Sequence, residues 1–96
     1  MFELTGFQRD LLYCVAGADG LSGQEVSREL EQSSSIEVNH GRLYPNLDDL
    51  VDKGLIDKQS KNNRTNLYRL TDQAKKLIAD RRQWEDERLE QISLDA

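Results

Sequence analysis

The sequence predicts a mostly α-helical fold with one small β-hairpin, and three observations support this prediction. Residues 39–56 (NHGRLYPNLDDLVDKGLI) place apolar side chains at the spacing of an amphipathic helix. After Gly54 the apolar spacing changes to the alternation that is typical of strands. Residues 71–92 contain neither glycine nor proline and indicate one long helix. With two further helices at the start, this order predicts a winged helix-turn-helix followed by a long C-terminal helix.

Length and composition limit the chain to one modest core. The chain has 96 residues, of which 36% are hydrophobic, and its mean hydropathy is −0.76. A core this thin would gain from burial against a partner subunit. We divide the chain into residues 1–70, the winged helix-turn-helix unit, and residues 71–96, a C-terminal dimerisation helix.

The cysteine content and hydropathy exclude several classes of protein. With one cysteine the chain forms no internal disulfide and no four-cysteine zinc site. No apolar run approaches the length of a membrane span, and no signal-peptide pattern opens the chain. We therefore expect a cytoplasmic protein that uses no cofactor or metal and does not enter a membrane.

The charge is unevenly distributed along the chain. The total is −5, which by itself argues against a nucleic-acid partner. Residues 56–70, however, carry a net +3 and directly follow the predicted helix at 39–54. The acidic remainder, in which arginine outnumbers lysine, also fits a salt-loving host.

Two capping boxes predict where the first two helices begin. Thr5 with Gln8 and Ser22 with Glu25 both match the S/T-x-x-E/Q pattern. Cys14 lies beside the apolar face of the first helix, where burial as a small hydrophobe competes with a redox-sensing role. The face expected to be buried contains Phe7, Leu11, Leu12, Val15 and Ala16.

The third helix combines an apolar face with a polar one. Asn39 is its expected N-cap, and Gly54 stands where a left-handed glycine ends a helix. Pro45 removes a backbone donor, so the helix kinks there or its first turn is a separate piece. The inward residues are Leu43, Leu47, Leu50, Val51 and Leu55, and the outward ones are His40, Arg42, Tyr44 and Asn46. Donors, a cation and an aromatic ring suit base edges and phosphate oxygens.

The hairpin is expected from strands at 56–60 and 66–70, joined by a turn at 61–65 that contains two asparagines. Its tip is the most basic part of the chain. A basic tip suits DNA phosphates, although an exposed polar turn without a ligand has the same composition.

The last helix has an apolar stripe too long for its own domain to cover. Thr71 is its expected cap. The stripe contains Ala74, Leu77, Ile78 and Trp84 and continues weakly through Leu89 and Ile92. Packing against the same helix of a second chain, with a contribution from the first helix, would bury this stripe. Trp84 would anchor that interface. The expected dimer interface is Phe7, Leu11, Leu77, Ile78, Arg81, Trp84, Arg88 and Ile92.

The run GRLYPNLDDLVDKGLI, followed by NLYRLTDQAKKLI, resembles the PadR family of transcriptional regulators. The opening LTGFQRDLLYCVAG is similar to the first helix of haloarchaeal members. The resemblance implies a homodimer that binds a palindromic double-stranded DNA operator, with the third helix in the major groove and the wing at the minor groove. Ala74 stands where many members have glycine. One helix follows the wing where larger members have several, which leaves little room for a small-molecule effector pocket.

The residues expected at DNA come from three segments. Ser22 and Gln24 lie at the start of the second helix. From the third helix come Asn39, His40, Gly41, Arg42, Tyr44, Pro45 and Asn46. From the wing come Lys58, Lys61, Asn62, Asn63, Arg64, Thr65 and Asn66.

Two other function classes compete with DNA binding. A protein-interaction module with the same fold is favoured slightly by the acidic surface and by Asp48, Asp49 and Asp52. An enzyme lacks the parts it would need, since there is no phosphate-binding glycine loop and no plausible triad. His40 as a metal ligand would require partners from elsewhere in the chain.

Overall fold

A computed structural model describes residues 1–92 of the chain. It contains four α-helices and a three-stranded antiparallel sheet, and a short 3₁₀ turn follows the last helix. In chain order the elements are α1 (Gly6–Ala16), β1 (Leu21–Ser22), α2 (Gly23–Ser34), α3 (His40–Asp52), β2 (Ile56–Asn62), β3 (Thr65–Leu70), α4 (Asp72–Leu89) and the 3₁₀ turn (Glu90–Ile92). This order confirms the predicted winged helix-turn-helix with a long C-terminal helix.

Side chains cap the first two helices as the sequence predicts. The Thr5 hydroxyl accepts a hydrogen bond from the Gln8 N–H, and the Gln8 amide oxygen accepts one from the Thr5 N–H. Ser22 and Glu25 form the same reciprocal pair at the start of α2. Each box satisfies two backbone donors that the helix itself leaves unpaired.

Helix α3 is continuous across Pro45, so its first turn is not a separate piece. The Asn39 side chain caps it by accepting a hydrogen bond of 2.7 Å from the Gly41 N–H. At the other end Gly54 adopts φ of +75°. The N–H of Gly54 donates to the Val51 carbonyl, and the N–H of Leu55 donates to the Leu50 carbonyl. This Schellman motif reverses the chain into β2 and requires the left-handed conformation that glycine adopts most readily.

The sheet has one strand more than the predicted hairpin. Leu21 and Ser22 pair with Tyr68 and Leu67, which places β3 between β1 and β2. A two-residue strand is too short to show a period in the sequence, so the predicted hairpin is present but the third strand was not predicted. The turn is also shorter than expected: Asn62 pairs with Thr65, and the ladder is irregular at Lys61.

One core joins all four helices and the base of the sheet. The buried apolar residues are Met1, Leu4, Leu11, Leu12, Val15, Val26, Leu30, Leu43, Leu47, Leu50, Leu55, Ile56, Tyr68 and Ala74. In β2 only Ile56 is buried, so the rest of that strand projects into solvent. Ala74 is the one buried residue of α4 within the described part of the chain. The outer half of α4 therefore extends away from the core.

We predict that Gly54→Ala destabilises the fold by about 1–2 kcal/mol, because an alanine at a left-handed position carries a steric penalty of that size. Gly17→Ala is the control. Gly17 ends α1 with φ of −72°, and an added Cβ there would meet the Cys14 carbonyl at an ordinary 3.5 Å. Chemical denaturation of both variants measures the difference, and equal stabilities would contradict the assigned role of Gly54.

Candidate nucleic-acid interface

Part of the surface predicted to bind DNA lines a cleft between α2, α3 and the wing. The cleft has a volume of about 380 Å³. It is lined by Ser22, Gly23, Gln24, Tyr44, Arg64, Thr65, Asn66 and Tyr68. Six of these were predicted from sequence, whereas Gly23 and Tyr68 were not. The cleft thus brings together the start of α2, the middle of α3 and the tip of the wing.

Tyr44 lies directly against the backbone of α2. A Cβ added to Gly23 would come within 2.7 Å of the Tyr44 phenol oxygen and closer still to Cε1. Glycine is therefore required at position 23 for the ring to occupy this place. The other side of Tyr44 meets His40, whose ring centroid is 5.8 Å away in an edge-to-face arrangement. These contacts hold Tyr44 at the cleft wall.

The opposite flank of α3 faces α1. The Arg42 guanidinium lies 3.9 Å above the centre of the Phe7 ring. The Asn46 amide oxygen accepts a hydrogen bond of 3.1 Å from Gln8, and its nitrogen donates to the Arg42 carbonyl. Asn46 was predicted to point outward beside Arg42. Its side chain is instead committed to contacts within the protein, because the helical rotation carries it towards α1.

The lysines of the wing differ in their surroundings. Lys58 pairs with Tyr68 across the ladder, well below the turn, and its ammonium lies 3.1 Å from the Asp48 carboxylate. That hydrogen bond and the charge of Asp48 raise the pKa of Lys58. Lys58 therefore lies within β2 rather than at the turn of the wing. Lys61 and Arg64 lie near the turn, are exposed, and form no ion pair within residues 1–92.

The residues predicted for a dimer interface separate into three places. Leu11 is 0% exposed within its own core and offers no area to a partner, so it does not belong to such an interface. Phe7 lies under Arg42, beside α3. The remaining six lie along α4 and the 3₁₀ turn after it: Leu77, Ile78, Arg81, Trp84, Arg88 and Ile92.

An aromatic and cationic cluster occupies the side of α4. Phe2 and Trp84 meet edge to face at 5.1 Å. The Arg81 guanidinium lies within 5.1 Å of both rings, and that of Arg88 lies 4.6 Å from Trp84. Phe2 remains 66% exposed and Ile92 62% exposed. Phe2 comes before the first helix, outside any periodic pattern, and was not predicted to belong to this surface.

Cys14 packs partly against the core from α1. Burial raises the pKa of its thiol, and the carboxylates of Glu29 and Asp10 add to the effect. A raised pKa disfavours the reactive thiolate. This environment is that of a packing residue rather than of an activated nucleophile.

No helix within residues 1–92 is both long and apolar enough to cross a membrane. Nor do those residues gather three or more metal-ligating side chains at one place.

Comparison with known proteins gives a family match and close structural relatives. Residues 11–80 match the model of the transcriptional regulator PadR-like family. The structure of RosR from H. salinarum is 44% identical with a TM-score of 0.83, and the alignment covers 98% of this chain and 82% of that one. The transcriptional activator GvpE of Haloferax mediterranei is 32% identical over 62 residues, which are 65% of this chain. The match spans 32% of the length of GvpE.

A more distant structure supports the fold alone. Bacillus subtilis PadR, solved in complex with operator DNA, is 23% identical with a TM-score of 0.68. The alignment covers 79% of this chain and 46% of that one.

We predict that Gly23→Ala lowers the free energy of unfolding by about 0.5–1.5 kcal/mol, the usual cost of forcing a side chain off its preferred rotamer, because the new methyl group displaces the exposed Tyr44 ring. In a Tyr44→Ala background the same change should be neutral or favourable, since the methyl group meets no ring and alanine is the better helix former. Denaturation of the two single variants and the double variant forms the cycle. Additive effects would show that the contact between Gly23 and Tyr44 is not tight.

Proposed function

The chain belongs to the PadR-like family of transcriptional regulators, and we propose that it binds double-stranded DNA sequence-specifically as a homodimer. The observation that carries the proposal is the cleft in which α3, the start of α2 and the wing tip meet. An α-helix fits the major groove, and a two-stranded ribbon beside it can reach the adjacent phosphates or minor groove. The operator complex reported for Bacillus subtilis PadR agrees with this use of the fold.

In this proposal α3 is the recognition helix. Asn39, His40 and Gly41 form its leading end, and Arg42, Tyr44 and Pro45 follow on the exposed side. Arg42 is the strongest candidate for reading a base, because a guanidinium donates two parallel hydrogen bonds to guanine. The Phe7 ring beneath it holds the charge near the surface without neutralising it.

The wing supplies positioning contacts. Lys61 and Arg64 are cationic, and Asn62, Asn63, Thr65 and Asn66 add donors around the tip. Ser22 and Gln24 extend the same surface from α2. Contacts to phosphate carry no sequence information but fix the register of the protein on the duplex. Lys58 contributes less in this proposal because its charge is paired with Asp48.

Homodimerisation would use residues 71–96, of which 93–96 lie outside the described residues. The support is the exposed apolar side chains of α4 and the turn after it, where Trp84, Leu89 and Ile92 are 36%, 39% and 62% exposed. A second copy related by a two-fold axis would cover this stripe and would present two recognition helices to a palindromic operator. Residues 1–70 would form the DNA-binding unit.

A protein-interaction module remains the second candidate function. Asp48 and Asp52 are exposed on the helix that would enter the groove, and they repel phosphate. Selection of bound sites from random-sequence DNA separates the two functions. DNA binding predicts enrichment of one palindromic motif, whereas an interaction module predicts none.

We predict that Arg42→Ala costs about 1–3 kcal/mol on the selected duplex and little on a scrambled one, as for a residue that reads a base. Lys61→Ala should weaken binding to both duplexes equally and reduce the salt slope by about one. Arg82→Ala, which removes one exposed charge of α4, is the control. It should leave both the affinity for the two duplexes and the salt slope unchanged. Titrations across a salt series measure all three. Equal losses for Arg42→Ala on both duplexes would contradict its role as a reader.

We also predict that Trp84→Glu dissociates the dimer, because it places a charge in the seam between two α4 helices. Gln83→Glu adds the same charge at an exposed position about 100° around α4 from Trp84, outside the predicted interface, and should leave the dimer intact. Light scattering at micromolar concentration distinguishes the two variants. A monomeric wild-type protein under the same conditions would overturn the proposed assembly.

A further inference from the structure

We propose that Gln8 is a positioning residue that sets the placement of α3 and through it the discrimination between DNA sequences. This inference rests on the proposed function. Gln8 belongs to α1, outside the predicted DNA surface, yet its side chain links α1 to two successive turns of α3. At 6% exposed it is one of two buried polar side chains in the described part of the chain, with Ser27.

The amide of Gln8 makes three hydrogen bonds. Its oxygen accepts from the Thr5 N–H at 3.3 Å and completes the capping box of α1. Its nitrogen donates to the Asn46 amide oxygen at 3.1 Å and to the Asp49 carboxylate at 2.7 Å. Both hydrogens of the amide are therefore used, and both acceptors belong to α3.

The orientation of this amide follows from the chemistry of its partners. A backbone N–H can only donate, so the group facing Thr5 must be the oxygen. An ionised carboxylate can only accept, so the group facing Asp49 must be the nitrogen. Exchanging the two ends would put donor against donor and acceptor against acceptor. A single arrangement satisfies all three partners, which makes the link rigid.

Both residues of α3 that accept hydrogen bonds from Gln8 make further hydrogen bonds within that helix and its C-cap. Asn46, held by Gln8, donates its own hydrogen bond of 2.8 Å to the backbone carbonyl of Arg42. Asp49 also accepts a hydrogen bond from Lys53, one turn later. These two hydrogen bonds, from Lys53 first and from Gln8 second, lower the pKa of Asp49 and keep it ionised. Beside them the Phe7 ring supports the Arg42 guanidinium.

Placement of the helix matters for reading because hydrogen bonds to base edges depend steeply on distance and angle. The buried leucines of α3 are apolar contacts without direction, and such contacts permit small rotations. The hydrogen bonds from Gln8 have direction and act at the turn that follows Arg42. Losing them should therefore reduce the preference for the correct sequence more than the strength of nonspecific binding.

The first test replaces Gln8 with methionine, which has a similar shape but offers no hydrogen bond to α3. Binding is measured on the duplex that the wild-type protein selects from random DNA and on a scrambled duplex of equal length and composition. We expect the ratio of the two affinities to fall about three- to tenfold, in line with the net value of such hydrogen bonds. Thr5→Ala is the control for stability, because it removes the capping hydroxyl but leaves the contacts between Gln8 and α3. The ratio should stay at the wild-type value in Thr5→Ala.

The second test uses a matched pair at Asp49, whose side chain is 43% exposed. Asp49→Asn and Asp49→Ala both remove the negative charge, but only asparagine keeps an acceptor for Gln8. The ratio of the affinities for the selected and scrambled duplexes should stay at the wild-type value in Asp49→Asn and fall in Asp49→Ala.

An unchanged ratio in Gln8→Met, or equal ratios in the Asp49 pair, would overturn the role of Gln8 while leaving DNA binding intact. If the wild-type protein selected no sequence at all, the proposed function itself would fail.

Discussion

The burial of Leu43, Leu47 and Leu50 is the constraint on which the rest of the structure depends. All three are 0% exposed, and they contact the centre of a core drawn from every helix. Because helical geometry fixes the angle between successive side chains, burying these leucines also fixes where every other residue of α3 points. One flank then meets α1 through Arg42 and Asn46, and the other meets α2 and the wing through Tyr44. The surface for a ligand is thus set by packing on the opposite face.

The same helix shows how an acidic chain can present a positive surface. Asp48 is paired with Lys58 and Asp49 with Lys53, so two of its carboxylates are locally compensated. Such exposed pairs add little to stability. Lys61 and Arg64, by contrast, form no ion pair within residues 1–92, so the positive charge at the wing tip stays available to a ligand. A net charge of −5 is therefore compatible with a basic tip.

The sequence predicted the elements well because their signals are local. Capping boxes at Thr5 and Ser22 and the glycine at position 54 each act within a few residues and were found in their predicted places. Contacts between elements were harder to predict. Gln8 was recognised only as a capping residue, since nothing local indicates a bond to a residue 41 positions away. Gly23 was not singled out, because its contact with Tyr44 depends on how α2 and α3 cross. Leu11 and Asn46 were misassigned because periodicity gives a face but not the neighbour that covers it.

The two-residue strand β1 makes Ser22 a member of two elements at once. Its backbone pairs with Leu67 in the sheet, while its side chain caps α2. The wing and the first turn of α2 are therefore joined at a single residue with no intervening linker. Any tilt of the wing towards a bound duplex would act as a lever on α2, and through Gly23 it would press on the Tyr44 ring. The orientation of the hairpin is therefore coupled to the orientation of α2 through Ser22.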